Sequence, residues 1–536
     1  MKTIQRLSLS VAATAILSGC GGSSFISTPV ENIDSSPLKV SELTEQEKHT
    51  WGHLDLVKDT IPGMSVEKAY AELLKKKKGN SIIVAVIDSG IDIDHEDLND
   101  VIWTNEDEIP GNGIDDDKNG YIDDVHGWNF LGDGYDEQLE LTRIVASGDT
   151  SNPQYAAAKA EYDEEFKKWS ERKMRYEQIY AQIKSADEAF TKHFNKADYT
   201  KEDINAIGET ANADLKQAVQ MANFMFSNGL ESIQDAKKEI KGGLESITDR
   251  LNYNLNLNFN GRVTGDDAED MSTKYYGNGN VKPVKKSESH GTHVAGIIAA
   301  ERGNGLGADG VANNVKIMSV RAVPNGDEYD KDVALAIRYA VDNGAKVING
   351  SFGKSYSPHS EWVRDAIKYA ADNDVVFVHA AGNDSKDVDV ESNFPDDNVN
   401  YVEVAKNYIR VGALEPKYGS GMVAGFSNYG KKNVDVFAPG AKVYSTTPEN
   451  EYDTKGGTSM AAPAVAGVAA LIRSNFPELS AEQVKQIILD SGLALNVKVV
   501  VGGDTNNVKP FSELSTSGRI VNAYNALIMA AKVAAK

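Results

Sequence analysis

The chain interleaves wholly apolar runs with amphipathic ones. Ser81-Ile-Ile-Val-Ala-Val-Ile87 has no polar residue after its first, the pattern of a strand buried on both faces of a parallel sheet. Residues 75–79 close a short helical stretch ahead of it. Residues 315–320, 346–349, 375–378 and 409–412 repeat the strand pattern, while 332–343 and 360–373 carry helical periodicity between them. This alternation predicts an α/β fold with a parallel central sheet.

From about residue 151 to 251 the texture becomes charged and glycine-poor. Tyr155, Tyr162, Trp169, Tyr176, Ile183 and Phe190 fall at every seventh position, lining one side of a helix with large apolar groups. Leu215, Val219, Ala222 and Phe226 continue a helical period. The expectation is a helical hairpin inserted in the α/β fold, its aromatic stripe serving as packing and not as a cofactor site.

Composition narrows the partners. The 536 residues carry a net charge of −23, which repels nucleic acid and anionic membrane surfaces. At the N-terminus, Lys2 and Arg6 precede an apolar stretch, residues 7–17, too short to span a bilayer and suited to a secretory signal over residues 1–19. Cys20 is the only cysteine, so no internal disulfide forms. Leu17-Ser18-Gly19-Cys20 resembles a bacterial lipobox. That resemblance implies a lipid-modified Cys20, a flexible tether over 20–45 and attachment to the bacterial cell envelope. An ordinary signal peptide with an incidental cysteine is the alternative.

Three segments carry candidate chemistry. Asp88 ends the first apolar strand, where ligands bind in open α/β sheets, though an acid there also caps turns or holds metals. Ser289-His290-Gly291-Thr292-His293 opens a small-residue helix, and spacing alone does not rank His290 above His293. Gly456-Gly457-Thr458-Ser459-Met460-Ala461-Ala462-Pro463 opens another. It places the Ser459 hydroxyl and N–H at the positive end of a helix dipole, as suits a nucleophile beside a developing oxyanion. A buried helix with a serine cap is the bland reading.

Together, in this order, the three segments resemble the subtilisin-like serine proteases, or subtilases. The resemblance implies a three-layer subtilisin-like fold, a catalytic triad of Asp88, His290 and Ser459, and hydrolysis of protein or peptide substrates without a redox or nucleotide cofactor. Ala380-Ala381-Gly382-Asn383 resembles the turn carrying the family's oxyanion asparagine, which makes Asn383 that donor and Gly382 a substrate contact. Residues 348–353 resemble the segment that pairs with extended substrate, implicating Ser351, Phe352 and Gly353, although Asn349-Gly350 stands where the family often has a bulkier residue.

Residues 115–124 space oxygen-bearing side chains as in an EF-hand loop, with glycine at the sixth position but His126 at the twelfth. The expected ion is a structural calcium, held by Asp115, Asp117, Asn119, Tyr121, Asp123 and Asp124; a solvated acidic turn is the alternative. Catalytic segments are expected over 46–150 and 252–536, flanking the helical insertion at 151–251. Residues 41–80 resemble the start of a catalytic domain and leave little room for a folding pro-domain. Two rival functions are a catalytically silent surface binding protein on the same fold, against which the complete triad argues, and a serine esterase, against which the missing Gly-x-Ser-x-Gly argues.

Overall fold

The structure is a computed structural model that describes residues 27–29, 39, 41–75, 77, 79–208 and 212–536. The signal segment and Cys20 lie outside the described residues, as does most of the tether. Nine strands form one sheet in the order Leu493–Ala494, Arg519–Ile520, Val436–Pro439, Tyr408–Leu414, Val376–Ala380, Val347–Gly350, Ile82–Asp88, Val315–Arg321 and Gly127–Asn129. Every pairing is parallel except that of the first two.

Burial on both faces explains the uninterrupted apolar runs. Along Ile82–Asp88, Val84 and Val86 pack into one core, and Ala85 and Ile87 into another on the opposite face. The first core is covered by helices His290–Ala299, Thr458–Asn475 and Ala523–Ala534, the second by Asp330–Asp342 and Ser360–Asp372. The result is the expected three-layer α/β fold. Thr458–Asn475 is buried on nearly every side, which its run of alanine, valine and glycine permits.

The register sets the site. Asp88 pairs with Arg321, Ile87 with Gly350, and Gly350 with His379. The strands therefore end together, and the segments that follow them emerge along one carboxyl edge.

Tyr155–Phe194 is a single helix of 40 residues, about 60 Å long at the standard rise. Its return limb is split into Ala213–Ser227 and Ile233–Asp249, with Lys201–Asn205 as a short link. The break falls where Gly229 adopts a positive φ and Ser232 caps the next helix through the Asp235 N–H. Of the heptad stripe, Tyr162, Ile183 and Phe190 are buried, and Tyr155, Trp169 and Tyr176 half-buried. Ile183 and Phe190 join Leu215, Ala222 and Ile233 in a core of the helices' own. Tyr162 shares a base cluster with Leu139, Ile144 and Leu255. Among the described residues, no helix is long and apolar enough to cross a membrane.

Candidate active site

Asp88 is 1% exposed, and its Oδ1 accepts hydrogen bonds from the Ser89 N–H (2.8 Å) and His290 Nδ1 (2.7 Å). His290 approaches this closely because Gly291 follows it. A Cβ on Gly291 would lie 2.3 Å from the Gly90 carbonyl oxygen and 3.2 Å from Asp88 Oδ1. The His290 side chain is 38% exposed, open to a cleft. Burial disfavours its charge, but the charge and hydrogen bond of Asp88 outweigh this and hold the imidazole pKa above the ordinary histidine value.

His293 is a different kind of group. It is fully buried, its Nε2 bonds the Asp453 carbonyl (3.1 Å), and burial drives its pKa down to about 3. It is a neutral core residue, so the geometry separates two histidines that spacing leaves equivalent.

Ser459 stands in the first turn of Thr458–Asn475. Its Oγ donates to the Ser351 carbonyl (3.1 Å), and no bond to His290 is formed. The Ser351 Oγ in turn donates to the Ser459 carbonyl (2.9 Å) and accepts from Asn349 Nδ2 (2.9 Å). Ser351 also lines a cleft of about 430 Å³ together with Asp88, His290, Phe352 and Gly353. Ser459 is thus tied to the wall of the cavity into which the histidine opens.

Asn383 follows the strand Val376–Ala380 and is exposed. Its Oδ1 accepts from the Thr458 N–H (2.8 Å) and Thr458 Oγ1 (3.0 Å), which leaves Nδ2 pointing away as a donor. A Cβ built on Gly457 would lie 3.5 Å from Asn383 Nδ2 and 3.6 Å from the Ser459 nitrogen. Asn383 Nδ2 and the Ser459 N–H thus approach a common point beside Ser459, with Asn383 Oδ1 3.7 Å from it, and two such donors are what an oxyanion would require.

The turn that presents Asn383 rests on Gly382 and on two residues, Asn428 and His379, to which sequence reasoning assigns no role. Gly382 has a φ of +100°, and a Cβ there would sit 2.4 Å from Asn428 Nδ2. Fully buried Asn428 donates to the Ala381 carbonyl (2.9 Å) and accepts from the N–H groups of Asp384 (3.0 Å) and Lys386 (2.8 Å). His379 bonds the Phe352 carbonyl through Nε2 (2.7 Å) and so joins the turn's strand to segment 351–353. Asn428 lies outside any recognisable motif and His379 adjoins the oxyanion turn without an assigned role, so the fold reveals what each does.

The acidic loop rearranges the expected ligand set. Carboxylate oxygens of Asp115 and Asp117 lie within 4.8 Å of each other and of Glu108, which the EF-hand spacing does not include. Glu108 is 6% exposed; its Oε1 accepts from the Asp116 and Asp117 N–H groups, and its Oε2 has no partner. A buried carboxylate oxygen without a partner, facing two more acids, fits a hard divalent cation. Asp123 is engaged elsewhere, accepting from the N–H groups of Asn112 (3.1 Å) and Gly113 (2.9 Å). Asp124 is fully buried and bonded by Asn105, Asn119 and the Tyr339 hydroxyl (2.6 Å), with burial lifting its pKa to about 6. The Asn119 Oδ1 accepts from the Tyr121 N–H (2.8 Å), an internal turn bond. Of the four acids among the six expected ligands, Asp115 and Asp117 fall in the carboxylate cluster, and Glu108 joins them.

A parallel α/β sheet with an Asp–His pair, a helix-start serine and two convergent N–H donors along one edge has the attributes of a serine protease. Residues 79–511 match the profile of the Subtilase family, and the chain belongs to that family. It is similar to a thermophilic serine proteinase of a Bacillus species, strain AK1, at 44% identity over 187 residues, 35% of this chain and 43% of that protein. Thermitase of Thermoactinomyces vulgaris is 34% identical over 270 residues, 50% of this chain and 82% of that protein. Subtilisin DY of Bacillus licheniformis is 36% identical over 221 residues, 41% of this chain and 76% of that protein. A solved structure of a protease from Pseudoalteromonas arctica is 33% identical, with a TM-score of 0.36 over 45% of this chain and 70% of its own. The chain spans less than half the length of the thermophilic proteinase it matches.

Proposed function

We propose that this protein is an exported serine endopeptidase that cleaves peptide bonds through an acyl-enzyme. The observation that carries the reading is the 2.7 Å Asp88–His290 pair opening into the same cleft as Ser351, to which Ser459 is hydrogen-bonded. His290 takes the proton of the Ser459 hydroxyl as Oγ attacks the substrate carbonyl, once that hydroxyl leaves the Ser351 carbonyl. Asp88 holds Nδ1–H of the ring and stabilises its cation. Asn383 Nδ2 and the Ser459 N–H receive the negative oxygen. His290 then gives its proton to the leaving amine, the C–N bond breaks, and water drawn by the same imidazole releases the acyl group.

Substrate lies along Ser351, Phe352 and Gly353, with Gly382 at the facing turn, and main-chain pairing holds it with little demand on sequence. The helices between Tyr155 and Asp249 form an insertion in the catalytic fold and supply no group to this site. Glu108, Asp115 and Asp117 would hold a structural calcium, whose contribution is to fix the acidic loop. Cys20 carries a lipid anchor that tethers the enzyme to the cell envelope.

The test is labelling of calcium-replete protein by a fluorophosphonate, with hydrolysis of an unfolded protein and a short ester compared in wild type and Ser459→Ala. Label on Ser459 and loss of proteolysis in the variant are expected; folded protein that neither labels nor cleaves would refute the enzyme. Palmitate incorporation should disappear in Cys20→Ala, and its persistence would refute the anchor.

A further inference from the structure

The cleft wall carries two carboxylates that the proposed chemistry does not use, Glu288, which is paired with Arg321, and Glu328. Glu328 lies on the segment between strand Val315–Arg321 and helix Asp330–Asp342 and lines the same 430 Å³ cavity as Asp88, His290 and Ser351. The residue is 2% exposed, its Oε1 is buried without a partner, and no other residue donates a hydrogen bond or an ion pair to its carboxylate. A buried carboxylate is normally paired or hydrogen-bonded, because removing its charge from water unmatched is costly.

Its neighbours do not supply the missing partner. Behind the wall, Lys354 Nζ contacts Glu140 Oε2 (2.7 Å) and Asp330 Oδ1 (2.9 Å), while Arg143 contacts Glu140 (2.6 Å). Both cations reach only the main-chain carbonyl of Glu328, at 2.7 Å from Lys354 and 3.2 Å from Arg143. Asp327 also belongs to this group, its carboxylate accepting the Glu140 N–H (2.8 Å). Four acids, Glu140, Asp327, Glu328 and Asp330, thus share two cations, and burial holds the Glu328 carboxyl well above the ordinary range. The other acids in the cavity wall each have a cationic or ionisable partner, Asp88 bonding His290 through Oδ1 while its Oδ2 is buried without one, and Glu288 pairing with Arg321 (2.5 Å). Lys455, the cation of that wall, lies 3.6 Å from Asp453.

We infer that the cleft selects peptides bearing a basic side chain near the scissile bond, with Glu328 as the residue that receives the guanidinium or ammonium group. This rests on the endopeptidase reading for the identity of the ligand as a peptide. A cation entering the cavity gives the carboxylate the charge-assisted partner the fold withholds and offsets the local acid excess. An acidic side chain at the same place gains no such partner, because the two neighbouring cations are already held by Glu140 and Asp330.

The experiment uses peptides identical except for arginine, norleucine or glutamate at single positions flanking the bond. Affinity is read with Ser459→Ala protein, which needs no turnover, and kcat/KM with the wild type. At one position arginine should exceed norleucine by about tenfold or more in both readouts, the scale of a hydrogen bond to a charged group, and glutamate should fall below both. In Glu328→Gln the arginine-to-norleucine ratio should collapse toward one, and in Glu328→Lys the order of arginine and glutamate should reverse. Equal binding of arginine and norleucine at every position, or a ratio unchanged in Glu328→Gln, overturns the inference. Should either variant fail to fold, the three-peptide series on the unaltered cleft decides alone. Arginine-selective binding without cleavage by wild type would instead sustain the role of Glu328 and refute the endopeptidase.

Discussion

Ser351 and Ser459 bind each other twice, the Ser459 hydroxyl donating to the Ser351 carbonyl and the Ser351 hydroxyl donating to the Ser459 carbonyl. The second bond has a cause in the sequence. Pro463, four residues beyond Ser459 and inside the helix, lacks the N–H that would otherwise reach the Ser459 carbonyl. The Ser351 hydroxyl takes that place. The main chain of Ser459 is thereby fixed by Ser351 in the cleft wall.

Ser351→Ala should remove this donor and lower unfolding stability by about 1–3 kcal/mol, the usual cost of an acceptor left unsatisfied. Ser351→Thr, which keeps a hydroxyl, should recover most of it. Denaturant midpoints of the three proteins check this, and an alanine variant as stable as wild type would sink the argument.

The pH profile follows from the Asp88–His290 pair. The base must be neutral, so kcat/KM rises as pH climbs through the His290 pKa. Asp88 raises that pKa above the ordinary 6.5, placing the acid limb above this value. Asp88→Asn keeps the shape of the side chain but removes the charge that favours imidazolium. The limb should then move to lower pH while the plateau drops by about 10⁴. A limb that stays in place would show that another group sets it.

How far the sequence carried this site varies residue by residue. Asp88 was legible because an apolar strand visibly ends there, and Ser459 because glycines and small residues surround it. His290 and His293 were equivalent by spacing, since they lie about one turn apart on the same helix start; burial against the Asp453 carbonyl distinguishes them. Gly127–Asn129 and Arg519–Ile520 joined the sheet unforeseen, because strands of three and two residues are too short to show a period. Glu108 and Glu328 escaped for a common reason. Each sits in an acidic stretch that reads as a solvated turn, and only tertiary packing buries it.

The oxyanion site predicts two substitutions with one outcome. Asn383→Ala removes a donor and should cut kcat by about 10²–10³ with little change in KM. Gly457→Ala removes none, but its new methyl would stand 3.5 Å from Asn383 Nδ2 and 3.6 Å from the Ser459 nitrogen, crowding the space between the two donors. It should fold normally and lose turnover. Because both changes disable the same interaction, the double variant should lose far less than the product of the two. Independent, multiplicative losses would refute a shared site.

The acidic loop yields a prediction that separates two ligand sets. If the EF-hand spacing governs, Asp123 matters and Glu108 does not. If the observed cluster governs, Glu108, Asp115 and Asp117 hold the ion, while Asp123 only caps the turn at Asn112 and Gly113. Glu108→Gln keeps the oxygen that can accept from the Asp116 and Asp117 N–H groups but removes the charge, so it tests the ion and not the loop. It should weaken calcium binding by about tenfold or more, whereas Asp123→Asn should leave affinity within a factor of about two. Chelation should lower the melting temperature of wild type and of Asp123→Asn, and shift Glu108→Gln much less, because a protein that binds the ion weakly has less stabilisation to lose. Calorimetric titration with calcium and melting with and without chelator decide between the sets: affinity lost in Asp123→Asn but kept in Glu108→Gln restores the EF-hand assignment.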